Sequence, residues 1–301
     1  MIVKPLSFGD VKKTYHYKTL TPNHLNCIKS NLKGLLATSH LKTYAYLVGK
    51  IMGDGHLSKH YEIYFITNKM KNLFDLKRFL VHNLNILKKS ISIKMKKSRG
   101  CSYVLRIHHA LLGRILFILG APMGKKTTQP TPVPYWILCS KECSRMFLRG
   151  ILEDELSTIK IESKNHVGKV RFKIVKNEDQ LYNLRKFLLQ IKSMLERFGV
   201  ECTKISYKPY LSKGQVGKSL YFDICRNKKN ILRFKDQIGF LLERDKIKKL
   251  NEACKILKTT LKRSLDRGQL LALRANGCSM RKIANRLGVS KSTIFRHLSL
   301  H

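Results

Sequence analysis

Apolar and polar residues alternate along the chain with two periods, and these periods predict an ordered series of helices and strands. A helical period runs through KTYAYLVGKIMGDG from about residue 41, through NLFDLKRFLVHNL and through ALLGRILFILG. A two-residue period rich in β-branched and aromatic residues runs through YEIYFIT, ISIKMKK and SYVLRIHH. The pattern predicts the order αββαββα.

The same order occurs a second time. KECSRMFLRGILEDE and EDQLYNLRKFLLQIKSMLERFG have the helical period, strand patterns cover STIKIES, KVRFKIVK, ECTKISYK and SLYFDICR, and helices are expected from about residue 230 to 257. Gly49 and Gly150 are 101 positions apart, and so are Asp54 and Glu155. The sequence therefore predicts an α+β chain with an internal duplication, in which two pseudo-symmetric subdomains form one unit.

Composition shifts along the chain give the expected domain boundaries. The stretch GAPMGKKTTQPTPVPYWI is dense in proline and glycine and indicates an extended linker. We expect an N-terminal extension at 1–40, to which the sequence assigns no function, and a first repeat with its linker at 41–138. A second repeat is expected at 139–258, and a small all-α domain at 260–301.

The charge of the chain indicates the class of partner. Sixty Lys and Arg residues stand against 19 Asp and Glu, which gives a net charge of +41, while 43% of the residues are hydrophobic. That hydrophobic fraction is too high for a disordered basic tail. Neutralising phosphates releases counterions from nucleic acid, so the expected partner is DNA or RNA.

The sequence gives no indication of secretion or of a membrane span. MIVKPLSFGD lacks the basic-then-apolar order of a signal peptide. The run LLGRILFIL contains Arg114 and is shorter than the roughly 20 residues that a span needs. The eight cysteines are scattered and complete no zinc site, which favours reduced thiols. We expect an intracellular protein, cytoplasmic or organellar, with no membrane partner.

One nonapeptide opens each repeat: Leu47–Gly55 (LVGKIMGDG) and Leu148–Leu156 (LRGILEDEL). Both resemble the signature of the LAGLIDADG homing endonucleases, and the resemblance covers about residues 40–255, because the family's order of elements follows each nonapeptide. It implies two αββαββα repeats that form a DNA-binding saddle of two antiparallel sheets. It also implies site-specific, metal-dependent cleavage of both DNA strands.

Small residues in the nonapeptides predict close packing of two helices. Gly49 and Gly53 are four apart and therefore lie on one helical face, and Gly150 has the matching place in the second copy. Spacing of this kind lets helix backbones approach each other.

The second nonapeptide departs from the family pattern at two positions. Asp154 replaces the small seventh residue, and Leu156 replaces the final glycine. Three consecutive acids also leave the register open, and alignment on Gly150 matches Glu155 to Asp54.

The resemblance implies that the two acids meet across the pseudo-twofold axis. Adjacent carboxylates repel each other unless divalent cations bridge them, and hard oxygen ligands suit Mg²⁺, with Mn²⁺ as the alternative ion. We expect Asp54 and Glu155 to be catalytic and to hold the metal together with Gly53 and Asp154. The alternative is that these acids cap a helix or pair with nearby lysines.

Family members often have a lysine near the active site, on the turn after the last helix of each repeat. Lys126 in GAPMGKK and Lys246 downstream of IGF occupy these places. They are candidates for orienting water or stabilising charge on the reacting phosphate. The alternative is that they are solvated lysines that contact DNA phosphates.

The strands are expected to supply the surface for double-stranded DNA, because a β-ribbon fits the major groove. In ISIKMK the isoleucines and the methionine are predicted to face the core, with the polar residues outward. The alternative is a general solvated face. The predicted DNA-binding residues of the repeats are Lys94, Lys96, Arg106, Lys160, Lys169, Arg171, Lys173, Lys208 and Arg226.

The last segment, RGQLLALRANGCSMRKIANRLGVSKSTIFRHL, resembles a helix-turn-helix of the resolvase or invertase type. Ala284, Gly288 and Ile294 have the spacing of that motif. The alternative is a packing module of three helices. The expected core residues are Ile283, Leu287, Val289, Ile294 and Leu298, and the expected DNA contacts are Lys291, Ser292 and Arg296.

Taken together, the expected function is Mg²⁺-dependent double-strand cleavage of DNA at a long, non-palindromic site by a monomer. The chain begins with Met and does not end in His-Asn, so an intron-encoded or free-standing homing enzyme is expected rather than an intein. Two alternatives stay open. One is a non-cleaving DNA-binding transcription regulator, and the other is a maturase that binds intron RNA.

Overall fold

The computed structural model describes residues 7–15, 26, 32, 34–35, 37–97, 101–163, 166–212, 215–257, 267–287 and 289–299. The chain divides into two compact units, at residues 1–258 and 259–301. The first unit contains helices and antiparallel sheets, and the described part of the second contains helices alone, so the fold is α+β. No helix in the described ranges is long and apolar enough to cross a membrane.

The first repeat follows the predicted order, with a short strand directly after the first nonapeptide. Its apolar stripes and its strand alternation account for these elements. The helices are α2 (Leu41–Met52), α3 (Met70–Leu84) and α4 (Ala110–Ile118), and the strands are β1 (His56–Leu57), β2 (Ile63–Thr67), β3 (Ile91–Lys97) and β4 (Cys101–Ile107). A short helix from the preceding segment, α1 (Phe8–Lys12), places Val11 in the same core.

The second repeat follows the same order, with three strands instead of two before its central helix. The end of the segment that was expected to be an extended linker is helical, in α5 (Tyr135–Cys139). The helices that follow are α6 (Lys141–Glu155), α7 (Leu181–Arg197), α8 (Lys228–Gln237) and α9 (Arg244–Ile256). The strands are β5 (Ile161–Ser163), β6 (His166–Val167), β7 (Val170–Lys176), β8 (Ser206–Ser212) and β9 (Gln215–Ile224). The predicted strand STIKIES forms only in its last three residues, which pair with β6 in a separate two-stranded sheet.

Each repeat contributes one larger antiparallel sheet. The strand order is β1-β2-β4-β3 in the first and β7-β9-β8 in the second. Phe65 of β2 pairs with Leu105 in the first sheet, and Phe172 of β7 pairs with Phe222 in the second. All four side chains are buried, so one face of each sheet covers the core.

One side chain of the first sheet differs from the expectation. Met95 was predicted to face the core, but it is 50% exposed. Its strand, β3, is at the edge of the sheet, and its partner Tyr103 is only half-buried, so the core does not extend to this end of the strand.

Helices α2 and α6, which carry the nonapeptides, pack against each other at the centre of the first unit. A Cβ added at Gly49 would collide with the carbonyl oxygen of Phe147, and a Cβ added at Gly150 would collide with that of Tyr46. Tyr46 and Phe147 are themselves 101 positions apart. The contact is therefore reciprocal, as a pseudo-twofold axis between the two repeats requires.

The second unit has three helices in its described part: α10 (Arg267–Ala275), α11 (Met280–Leu287) and α12 (Lys291–Ser299). Leu270, Ile283, Ala284 and Ile294 form its buried core. The predicted core residues Leu287, Val289 and Leu298 pack against it, partly buried. Gly288 lies outside the described residues.

Candidate active site

The acids of the two nonapeptides meet at the ends of the paired helices. Asp54 follows the end of α2 and is exposed, and Glu155 is the last residue of α6. Both line a cavity of about 240 Å³, together with Lys126 and Lys176. Burial, and then the charges of Asp54 and Asp154, raise the pKa of Glu155 to about 8. The structure thus brings together the two residues that the sequence predicts as catalytic acids.

Neither acid has a protein partner within the described ranges. The side chains of Asp54 and Glu155 form no hydrogen bond or ion pair there, although the backbone N–H of Asp54 donates to Asp154. A largely buried carboxylate without a partner, such as that of Glu155, is costly, and a bound cation is one way to offset that cost.

The donor set fits one type of metal better than others. Among the described residues, no group of three or more His, Cys, Asp or Glu side chains is arranged around a metal position. Zinc and calcium sites normally draw more ligands from the protein. Mg²⁺ keeps several waters and is usually held by one or two carboxylates plus phosphate oxygens of the substrate. Asp54 and Glu155 match that requirement.

Two lysines lie near the acids: Lys126 follows the last helix of the first repeat, whereas Lys246 lies in the first turn of α9 and not on the predicted turn. The Lys126 Nζ donates to the carbonyls of Ile51 (2.9 Å), Gly53 and Gly55 (2.8 Å). Carbonyls at the C-terminal end of a helix carry partial negative charge, so a lysine is stabilised there. Burial lowers the pKa of Lys126, while the negative charges of Glu155 and Asp54 oppose that shift.

Lys246 makes the corresponding contacts in the second repeat. Its Nζ donates to the carbonyls of Glu153 (2.6 Å) and Leu156 (2.5 Å). Gly55 and Leu156 are equivalent residues of the two nonapeptides, so each lysine contacts the same carbonyl of its own helix end. Burial lowers the pKa of Lys246 as well, with Glu243 opposing the shift.

The other two predicted metal ligands are already engaged by lysines. The Gly53 carbonyl accepts a hydrogen bond from Lys126, and the Asp154 carboxylate forms an ion pair with Lys50. Asp154 is nearly buried, and burial raises its pKa to about 6 against the opposing effect of Lys50. The structure therefore gives both groups a lysine partner, and their assignment as metal ligands stays a prediction.

Sequence reasoning missed a buried network on the other side of Asp54. A cavity of about 200 Å³ is lined by Asp54, Lys50, Asp154 and Glu243, among others. Glu153 beside it accepts hydrogen bonds from the Tyr46 hydroxyl (2.6 Å) and from the amides of Leu241 (2.5 Å) and Leu242 (2.6 Å). The available signal was Lys50 itself, because a lysine interrupts the apolar run of the first nonapeptide.

Lys176 is a second residue that the sequence did not single out. It ends β7 and is buried, and its Nζ donates to the carbonyl of Gln129 (2.6 Å) and the hydroxyl of Thr131 (2.9 Å). Burial, together with the charge of Lys126, lowers the pKa of Lys176 to about 8. A further cation therefore lines the cavity that holds Asp54 and Glu155.

The predicted DNA-binding residues of the repeats fall into two groups. One group is exposed: Lys94, Lys96, Lys160, Lys169, Lys173 and Lys208. The other consists of arginines with protein partners. Arg226, although exposed, donates to the Val167 carbonyl at 3.0 Å, and Arg106 and Arg171 form ion pairs.

Arg171 is the more rigidly held of these two. Its guanidinium makes two parallel hydrogen bonds to Asp223, at 2.8 and 3.1 Å, and lies 3.8 Å from the centroid of the Tyr221 ring. Arg106 pairs with Glu62 in the first sheet. These contacts restrict the orientation of both guanidinium groups before any ligand binds.

In the second unit, Lys291 and Ser292 are exposed at the start of α12. Arg296 belongs to the same helix, but its side chain lies outside the described part of the structure.

Comparison with known proteins gives one family match and several partial similarities. A family model described as a helix-turn-helix domain matches residues 264–299, so the C-terminal unit contains that motif. A crystal structure of an I-DmoI variant, in complex with its target DNA nicked in the coding strand and with manganese present, covers 67% of this chain. It aligns over 97% of its own length, with 16% identity and a TM-score of 0.40.

Curated relatives match over part of their length. The replication factor C small subunit of Methanocaldococcus jannaschii is 28% identical over 222 residues, which are 69% of this chain and 11% of the relative. The tRNA-splicing ligase RtcB of Methanopyrus kandleri is 29% identical over 220 residues, 68% of this chain and 21% of the relative. The RtcB of Pyrococcus abyssi is 28% identical over 176 residues, 55% of this chain and 19% of the relative. This chain therefore spans between 11 and 21% of the length of these relatives.

Proposed function

We propose that this chain is a homing endonuclease that makes a metal-dependent double-strand break in DNA at a long, non-palindromic site. The observation that carries the proposal is the meeting of Asp54 and Glu155 at the ends of the glycine-packed helices. Neither carboxylate has a protein partner within the described residues, and each lies near a helix end that a lysine caps. A purely structural role would not require two unpaired acids at one place.

In this proposal the acids and the lysines have different roles. Asp54 and Glu155 would hold Mg²⁺, or Mn²⁺ in its place. The metal, when bound, supplies activation of water and stabilisation of the leaving 3′ oxygen. Lys126 and Lys246 place positive charge beside the reacting phosphate, where it stabilises the developing negative charge. The carbonyl contacts of both lysines fix their ammonium groups before the substrate arrives.

The proposed partner is double-stranded DNA, bound by the outward lysines of the two sheets and by the helix-turn-helix unit. A net charge of +41 supports phosphate binding of that extent. Because one chain carries both repeats, we propose that it acts as a monomer and reads two unlike half-sites. Tethering the helix-turn-helix raises its effective concentration at the target, which would add affinity. We propose an intracellular location, where DNA is found.

The partial matches support the view that this chain corresponds to a sequence element found in different proteins. The replication factor C subunit and the RtcB ligase are different proteins, yet each matches more than two thirds of this chain over only about a tenth to a fifth of its own length. Such a distribution is typical of an element that occurs in unrelated proteins.

Incubation of the full chain with a randomised duplex library, in Mg²⁺ and in EDTA, tests this function. The proposal predicts double-strand ends at one sequence that appear only with Mg²⁺. Specific binding without cutting would contradict it. That outcome would favour a DNA-binding regulator, for which the helix-turn-helix is the specific observation. Preferential binding of intron RNA in a parallel assay would favour a maturase instead.

A further inference from the structure

Two residues at positions where the nonapeptides differ from each other are in contact. Lys50 is the fourth residue of the first copy, where the second copy has Ile151, and Asp154 is the seventh residue of the second copy, where the first has Gly53. The Lys50 Nζ forms an ion pair with Asp154 Oδ1, and the two side chains are only 9% and 8% exposed. The pair crosses from α2 to α6 and has no counterpart on the other side of the axis, because Gly53 and Ile151 carry no charge.

Asp154 also contacts the backbone of the catalytic acid. Its Oδ2 accepts a hydrogen bond from the Asp54 N–H at 3.1 Å. A Cβ at Gly53 would lie 2.8 Å from the Asp154 Cβ, so the absence of a side chain at residue 53 makes room for this approach.

The two helices end differently at this point. Helix α6 continues through Glu155, whereas α2 ends at Met52, two residues before Asp54. The Lys50 carbonyl accepts from the Gly55 N–H at 2.9 Å, and the Asp54 N–H donates to Asp154. In the second repeat, the continued helix α6 fixes the backbone of Glu155. In the first repeat, the Asp154 carboxylate fixes the backbone of Asp54 instead.

The Lys50 Nζ lies closer to the carboxylate of Asp154 than to that of the neighbouring Glu153. Glu153 Oε2 is 3.9 Å from the Lys50 Nζ. Glu153 already accepts hydrogen bonds from Tyr46 and from two backbone amides. Without Lys50, Asp154 would be a nearly buried carboxylate with no ion-pair partner among the described residues, close to Asp54 and Glu155.

We propose that Lys50 and Asp154 act as one unit of positioning residues, which fixes the Asp54 backbone and so directs its carboxylate toward the reacting phosphate. This inference rests on the proposed endonuclease function. It implies that the lysine of the first nonapeptide and the aspartate of the second compensate each other. Loss of either partner alone then harms the site more than loss of both charges together.

Three variants test the compensation: Lys50→Met, Asp154→Asn and the double variant. Met and Asn approximate the shapes of Lys and Asp, and Asn retains an oxygen that can accept from the Asp54 N–H. The matched control removes an ion pair on the surface of α7, with Lys192→Met and Glu196→Gln combined; that pair is 2.6 Å apart and four residues apart on one helix. For each protein, three quantities are measured: the single-turnover rate of DNA cleavage with the protein at saturating concentration, the DNA affinity in EDTA and the midpoint of thermal unfolding.

The expected result is a rate effect without a matching affinity effect. Lys50→Met should slow cleavage on the order of 10- to 100-fold, because a displaced catalytic group loses its alignment. The double variant should regain most of that loss, and the control pair should cut at the wild-type rate. DNA affinity in EDTA should change by less than about threefold in every variant, since none of the substituted residues is among the exposed lysines predicted to bind DNA.

Two other results would overturn the inference. If the double variant is as slow as the product of the two single effects, the residues act independently. If Lys50→Met cuts at the wild-type rate, Lys50 positions nothing. In both cases the wild-type chain still cuts DNA, so the proposed function survives. If the wild-type chain cuts no DNA at all, the proposed function fails and this inference fails with it.

Discussion

Replacement of the helix-packing glycines should destabilise the first unit, and the structure gives the size of the effect. A Cβ at Gly49 would overlap the Phe147 carbonyl oxygen and lie 3.0 Å from the Ile151 nitrogen, where ordinary contacts are 3.4–4 Å. These are backbone atoms and cannot rotate away, so α2 and α6 would have to separate by roughly 1 Å, a strain that costs about 1–3 kcal/mol in a packed core. Gly150→Ala should cost a similar amount, because its contacts are reciprocal.

Gly9→Ala is the matched control. Gly9 is exposed in α1, and a Cβ there would meet only the Ser7 Oγ, at 3.5 Å. With no clash to offset, replacement of glycine by alanine within a helix should stabilise the protein by about 0.5–1 kcal/mol. The double variant of Gly49 and Gly150 should lose less than the sum of the single losses, because one separation of the helices relieves both clashes.

Urea unfolding monitored by far-ultraviolet circular dichroism measures these differences as shifts in the free energy of unfolding. If the free energies of unfolding of the variants at Gly49 and Gly150 stay within about 0.5 kcal/mol of that of Gly9→Ala, the two helices do not pack as closely as described. Strictly additive losses would show that each glycine acts alone and would contradict the reciprocal contact.

Three further predictions concern charge. In metal-free buffer, the free energy of unfolding of the wild-type chain relative to Glu155→Gln should fall by up to ~1.4 kcal/mol per pH unit as the pH rises from about 5 toward 8. The reason is that the pKa of Glu155 in the folded state, about 8, lies above its unfolded value, so ionisation penalises the folded state. Parallel curves of stability against pH for the two proteins would contradict this. Arg171→Ala should weaken DNA binding and relax base preference at one position by about 1–3 kcal/mol, and Asp223→Asn should do so to a lesser degree. An equal loss of affinity for every DNA sequence would instead indicate that Arg171 contacts a phosphate. Lys291→Ala should lower the slope of log affinity against log salt by about 1, and an unchanged slope would mean that α12 does not contact phosphate.

The duplication could be predicted from the sequence because it depends on a regular spacing. The interval of 101 residues between Gly49 and Gly150 reappears in the structure as the reciprocal contacts of these glycines with Phe147 and Tyr46. Hydrophobic periodicity and small residues at helix contacts are local properties, and a single sequence shows them directly.

The buried charges could not be predicted, because their partners are distant in the chain. Lys50 interrupts an apolar run and is therefore unusual in the sequence, but Asp154 is 104 positions away and nothing in the sequence identifies it as the partner. Lys176 is buried through contacts with Gln129 and Thr131, which belong to the connection between the repeats. The exposure of Met95 likewise depends on the position of β3 at the sheet edge, which strand alternation alone does not specify.

The most direct test of the account compares Asp54→Asn and Glu155→Gln with the wild-type chain on the DNA site recovered from the library, in Mg²⁺. Glu196→Gln, which changes a carboxylate on the surface of α7, is the control for loss of an acid. The account predicts that both active-site variants bind the site with wild-type affinity and leave both strands intact, while the control cuts normally. Cleavage at the wild-type rate by either active-site variant would contradict the claim that Asp54 and Glu155 form the catalytic centre.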